Sequence, residues 1–145
     1  MLIGQSEIAT LIPHAGAMCL LDGVLEWNES RIRCLSRTHR NLDNPLRRIG
    51  WLHSVCGIEY VSQAMAVHST LTNPVKGRPK RGYLASVRNL ALAVVRLDTI
   101  EGDLIIDAHQ ILHMEQRTLY DFAITADGQT LISGRAAAVL DVEVL

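Results

Sequence analysis

Aromatic residues make up only 4% of this 145-residue chain: two tryptophans, three tyrosines and a single phenylalanine. So sparse a set gives no platform on which nucleic-acid bases could stack. An excess of one charge is missing as well. Fourteen Lys and Arg face fifteen Asp and Glu, for a formal net charge of -1, which offers no bulk attraction to nucleic acid or to an acidic lipid surface. Cysteine is scarce and odd in number. Cys19, Cys34 and Cys56 form no C-x-x-C pair, which argues against a disulfide framework and against a cysteine-rich zinc site. No apolar run reaches the length of a membrane span, and Glu7, Pro13 and His14 interrupt the N-terminal stretch, so no signal peptide is expected. A reducing, cytoplasmic setting without a metal centre is the expectation.

What the chain has is apolar material. Hydrophobic residues reach 48% against 20% charged, enough for one sizeable core, and the length predicts a single domain over residues 1–145. Ser6 to Leu11 reads as a short helical turn ended by Pro13. A first strand is predicted near Val24 to Trp27, a turn at Asn28-Glu29-Ser30, and a second strand marked by Ile32, Cys34 and Leu35. Thr38 to Asn44, closed by Pro45, reads as an irregular loop. After residue 73 the stretch Lys76-Gly77-Arg78-Pro79-Lys80-Arg81-Gly82 makes an exposed basic connection. Tyr83 to Leu97 is long and rich in strand formers, and Glu101-Gly102-Asp103 is a turn. Leu104, Ile106, Ala108 and Leu112 then alternate with polar neighbours, as do Tyr120, Phe122 and Ile124. Asp127-Gly128 is a strong hairpin signal. Gly134, Ala136 and Ala138 put small residues on one face of the last strand, where a helix can lie close.

Between the two groups of strands lies the most informative segment. From Leu52 to Leu71 the chain is apolar almost all round, with only Gly57 to weaken a helix. A helix apolar on every face is buried, and with Glu59 and Gln63 inside it this one is no membrane span. It is predicted to run from about His53 to about Thr70. Strands, one buried helix and a run of antiparallel strands give an α+β layout in which a sheet wraps one helix, the hotdog arrangement.

Short motifs along nearly the whole chain carry a family likeness. Leu11-Ile12-Pro13-His14 and Met18-Cys19-Leu20-Leu21-Asp22-Gly23-Val24 resemble the entry segment of the 3-hydroxyacyl-[acyl carrier protein] dehydratases. Ile58-Glu59-Tyr60-Val61-Ser62-Gln63-Ala64 resembles their Glu-x-x-Ala-Gln helix, Gly102-Asp103-Leu104 their Pro-Gly-Asp-x-Leu turn, and Asp127-Gly128 to Leu140 their closing hairpin. Asp43-Asn44-Pro45-Leu46-Arg47-Arg48, with Ala64-Met65-Ala66-Val67-His68, looks like the group associated with aryl-polyene and related fatty-acid-like synthase clusters. One departure stands out. The family's catalytic histidine lies fourteen residues before the helix acid, and here Pro45 occupies that place.

The resemblance implies dehydration of a 3-hydroxyacyl chain carried on the phosphopantetheine of an acyl carrier protein, with no cofactor of the enzyme's own. That chemistry needs a base for the C2 proton, an acid for the departing C3 hydroxyl, and donors that polarise the thioester carbonyl. Glu59 matches the family's acid; the alternative is a buried Glu held by a local partner. Gln63, four residues on, either orients that carboxyl or meets substrate, or else caps a partner across a dimer interface. His14 is the leading candidate base, set against a structural histidine bonded to a backbone carbonyl. His53 is a second candidate, and His39, His68, His109 and His113 read as surface or sheet histidines. The turn from Ser54 to Gly57 offers backbone N–H groups for the thioester oxygen, with Gly57 allowing close approach or serving helix packing. Arg47 and Arg48, and the later basic stretch, suit an acidic carrier protein, or are solvated loops. A homodimer, a larger oligomer or a hetero-oligomer is expected. Two other functions fit the residues: a hotdog acyl thioesterase, and a non-catalytic partner of a complete dehydratase.

Overall fold

The computed structural model describes residues 1–12, 16–73 and 82–140. The N-terminal residues form a two-residue strand β1 (Ile3–Gly4) and a short helix α1 (Gln5–Leu11), followed by β2 (Gly23–Trp27) and β3 (Arg31–Ser36). The central helix α2 (Gly57–Thr72) is led in by a 3-10 turn at Ser54–Cys56. Then come β4 (Gly82–Leu92), β5 (Leu104–Met114), β6 (Arg117–Ala126) and β7 (Gln129–Leu140). Among the described residues the seven strands make one sheet in the order β1-β2-β3-β5-β6-β7-β4, and every pairing is antiparallel. The helix comes between β3 and β4 in the chain, so β4 returns to the far edge of the sheet. The result is the hotdog fold.

The core lies between α2 and the inner face of the sheet. Tyr60, Val61, Ala64, Met65 and Val67 of the helix pack with Ile32, Cys34, Ile106, Tyr120, Ile124 and Ile132 of the strands. Fully burying each larger aliphatic side chain contributes roughly 1.5–3 kcal/mol, which explains why a helix with little amphipathic bias is held here. No residue of α2 is exposed, as its all-round apolar sequence predicts. Gly57 is where helix and sheet approach most tightly. A Cβ there would sit 2.3 Å from Cδ1 of Ile132 and 3.0 Å from Cδ1 of Ile124.

Several expectations need correction. The helix starts with a 3-10 turn at Ser54 and ends at Thr72, two residues later than predicted, with the Thr72 hydroxyl donating to the carbonyl of His68 at 2.8 Å. Leu112 is half exposed because the β5–β6 register shifts between Gln110 and Leu112; the extra residue turns it to the other face. Gly134 does not make room for the helix. A Cβ there would meet the ring of Phe122 at 2.9 Å and the carbonyl of Arg88 at 3.2 Å, within the sheet itself. The Asp127-Gly128 hairpin forms as expected, with φ of 50° and 78° at its two residues. The basic stretch Lys76, Arg78, Lys80 and Arg81 lies outside the described residues.

Candidate active site

Helical periodicity places Val55, Glu59, Ser62 and Ala66 along one stripe of α2 and its lead-in. Glu59 and the two small residues beyond it are half-buried, and Val55 is exposed. The opposite side of the helix, with Tyr60, Val61, Ala64 and His68, is closed by the chain's own sheet and loops. Glu59 therefore occupies the face of α2 that its own sheet covers least. The expectation of a fully buried carboxyl is corrected to a half-buried one in the single chain.

The residues beside Glu59 are fixed by a directed hydrogen-bond network. The Ser36 and Thr38 hydroxyls both donate to the carbonyl of Leu20, at 2.6 and 2.8 Å. With its proton so engaged, Thr38 accepts from the Tyr60 hydroxyl at 2.8 Å. Asn44 in turn donates to Tyr60 at 3.0 Å and to the carbonyl of Thr38 at 2.9 Å. Burial, opposed by these bonds, raises the Tyr60 hydroxyl above its ordinary range and keeps it a proton donor within the network. Sequence reasoning missed this cluster; its only signal was a tyrosine next to the helix acid and small polar residues in the preceding loop. The network holds the loop around Asn44 and Pro45 against the first turn of α2, and the Cys56 thiol reaches the carbonyl of Leu46 at 3.9 Å. The place of the family's missing histidine thus does lie beside the helix that carries Glu59.

Gln63 is buried and turned away from a substrate role. Its amide donates to the carbonyl of Met18 at 2.6 Å and its oxygen accepts the N–H of Leu20 at 2.9 Å. It fastens the entry segment to the helix, and its amide is not aimed at Glu59. Gly57 serves helix packing rather than ligand approach. Ser54 is buried and its N–H donates to the carbonyl of Val95 at 3.0 Å. The Cys56 N–H goes to His53 and the Gly57 N–H to Ser54 and Val55. The expected cluster of free donors from Ser54 to Gly57 thus loses three of its four members; the fourth residue, Val55, is exposed one helical turn before Glu59.

Arg47 is a loop clamp. Its guanidinium donates to the carbonyls of Asn41 and Gly50, each at 2.8 Å, and of His39 at 3.3 Å. Arg48 is exposed and donates to the carbonyls of Arg47 and Pro45 at 2.9 and 3.4 Å. His14 lies outside the described residues. His53 is exposed, with its ring 5.7 Å from that of Trp51. His39 and His68 are not surface histidines: both are fully buried. Nε2 of His39 donates to the carbonyl of Ile100 at 3.0 Å, and Nε2 of His68 donates to that of Asn28 at 2.8 Å. The carbonyls fix both as Nε2–H tautomers, so Nδ1 of His68 accepts from the Tyr120 hydroxyl. His109 and His113 are exposed on β5, as expected.

A groove of about 530 Å³ opens on the outer face of the sheet, where Arg33, Asp107 and Asp121 line it. Its charges are largely paired among themselves, with Arg33 and Asp107 2.7 Å apart, and none of the expected site residues reaches it. Among the described residues no group of His, Cys, Asp and Glu is placed to hold a metal ion, and no helix is long and apolar enough to cross a membrane.

The fold and the Glu59 helix can now be set beside known proteins. The model of the ApeP-like family, described as ApeP dehydratase, matches residues 6–142. The chain belongs to the ApeP-like dehydratase family. No curated protein matches the sequence. A solved structure described as the dehydratase heterocomplex ApeI:P from Xenorhabdus doucetiae is similar, with a TM-score of 0.83 at 22% identity over 94% of this chain and 91% of that one. A thioesterase from Pseudomonas aeruginosa gives 0.59 at 13% identity, covering 81% and 79%. Zebrafish thioesterase superfamily member 2 gives 0.62 at 17%, covering 94% and 95%. These likenesses confirm the hotdog fold, while the family match carries the dehydratase assignment.

Proposed function

We propose that this dehydratase removes water from 3-hydroxyacyl chains presented on the phosphopantetheine of an acyl carrier protein, in aryl-polyene or fatty-acid-like synthesis, and needs no cofactor of its own. The observation that carries the reading is Glu59 on the least covered face of α2, one turn beyond the Val55 N–H. A base takes the C2 proton, and the resulting negative charge spreads onto the thioester oxygen, toward which the Val55 N–H donates. Glu59 gives a proton to the C3 hydroxyl, the C3–O bond breaks, water leaves, and the electron pair closes the C2–C3 double bond.

The base has two sources in this reading: His14, or a histidine on a second hotdog subunit. The likeness to a dehydratase heterocomplex and the proline at position 45 favour the second. β4 is a free sheet edge with Leu84, Leu90 and Leu92 exposed along it, and an edge strand is a ready template for pairing with another chain. Arg48 and the basic stretch from Lys76 to Arg81 supply positive charge for an acidic carrier protein, and the free thiols suit a reducing cytoplasm. The test is Glu59→Gln in the assembled enzyme, which removes a proton donor and keeps its shape. A rate loss of at least ~100-fold with an unchanged melting curve is expected. A near-normal rate makes Glu59 structural and ends the proposal.

A further inference from the structure

The lead-in to α2 does not stand on its own. Residues 52–54 run antiparallel to 95–97, with the Ser54 N–H on the carbonyl of Val95 at 3.0 Å and the Leu97 N–H on that of Leu52 at 2.8 Å. One side chain adds to this backbone pairing. The Asp98 carboxylate accepts the N–H of Leu52 at 2.9 Å, with its side chain only 5% exposed. Arg96 meets both oxygens of the same carboxylate, and its guanidinium lies 3.9 Å above the ring of Trp51. Asp98 is therefore aimed from one side by a two-pronged ion pair and fixed from the other by a backbone donor. Arg96 is in turn seated on the residue that precedes that donor. The three side chains and the Leu52 N–H thus link residues 51 and 52, in the segment that leads into the helix, to residues 96 and 98.

We infer that Asp98, aimed by Arg96 and Trp51, is a positioning residue that sets where the Val55 N–H and Glu59 stand relative to the substrate. Neither Asp98 nor Arg96 touches the reacting atoms. Leu52 is three residues before Val55 and seven before Glu59, in the extended segment that leads directly into the 3-10 turn at Ser54 and then α2, so a shift at Leu52 carries through to both. A displacement of about 1 Å in a reacting group costs up to ~100-fold in rate. The inference rests on the proposal that Glu59 and the Val55 N–H form the reacting site.

The test measures steady-state dehydration by the full assembly, with wild type, Glu59→Gln, Asp98→Ala, Asp98→Asn and Arg96→Gln side by side. Asp98→Ala is expected to lower kcat by ~10- to 100-fold with KM within ~3-fold. Asp98→Asn, which keeps an oxygen for the Leu52 N–H, should recover most of that loss, and Arg96→Gln should fall between the two. Amide exchange supplies a readout independent of turnover. In Asp98→Ala it should quicken over residues 52–57 and stay unchanged over residues 66–72. If Glu59→Gln abolishes turnover while folded Asp98→Ala keeps kcat within ~3-fold, the positioning role is overturned and the site reading stands. If Glu59→Gln leaves the rate intact, both fall. Uniformly faster exchange along the whole helix would make Asp98 a general stabiliser and also overturn the inference.

Discussion

At the scale of single residues, burial decides what each group does. Gly57 has no room for a methyl group against Ile132 and Ile124, so Gly57→Ala should destabilise the fold by about 1–3 kcal/mol through overpacking, read as a lower denaturant midpoint with unchanged slope. Tyr60→Phe leaves one N–H of the Asn44 amide without its acceptor and removes the donor to the Thr38 hydroxyl, though both groups keep a second partner. It should cost about 1–3 kcal/mol, the penalty for a buried donor left unsatisfied, on the same readout. His39 and His68 give the fold a pH dependence. Burial depresses both imidazoles below the ordinary histidine value, with the carbonyls of Ile100 and Asn28 opposing it in part and Arg40 adding to the depression at His39. In the unfolded chain they titrate near ~6.5. Stability from their neutral, buried state is therefore complete above that pH and is lost as the pH falls from ~6.5 toward the lower folded values. Melting temperatures measured from pH 7.5 down to 5.5 should fall, and fall less in His68→Gln, which has no imidazole to charge. Neither histidine was legible as buried. His68 lies on the side of the helix away from Glu59, but nothing local says that Tyr120, more than fifty residues later, closes over it.

At the scale of elements, α2 was the most legible part of the sequence because its apolar residues run round every face, a pattern that survives errors of a residue or two at either end. Strands β2, β3 and β6 and the Asp127-Gly128 turn were readable for similar local reasons: period-two alternation and a turn pair suited to positive φ. The failures mark where tertiary structure overrides local pattern. Leu112 fits the alternation of β5 up to a bulge that only the pairing with β6 reveals. The two-residue β1 has no pattern at all; it exists because Ile3 pairs with Val24. The 3-10 start of the helix, with the N–H groups of Ser54, Cys56 and Gly57 engaged, follows from pairing with residues 95–97. The same limit applies to the site. Glu59 was singled out by its motif and lies half-buried on α2, whereas Gln63, Arg47 and Gly57, each given a candidate role toward substrate or carrier, hold backbone or packing partners that lie elsewhere in the fold.

At the scale of the whole molecule, the proposed pairing with another subunit rests on an open sheet edge at β4 and a half-covered stripe on α2. Sedimentation at micromolar concentration should show at least a dimer, with the chain alone or with a second hotdog subunit. Introducing Leu84→Lys and Leu92→Lys together along the β4 edge should shift it toward monomer. Clean monomeric behaviour of the wild type under both conditions would contradict pairing through that edge. The central claim is that Glu59 serves dehydration with a base that position 45 does not provide. Its most direct measurement is incubation with a 3-hydroxyacyl carrier protein, alone and with a histidine-bearing hotdog partner, followed by intact-mass detection of the carrier. The account expects the carrier to lose the mass of one water (about 18 Da) when the assembly is complete, and to lose none with Glu59→Gln. Release of free acid and carrier thiol, with no enoyl product under either condition, would contradict it and make the protein a thioesterase.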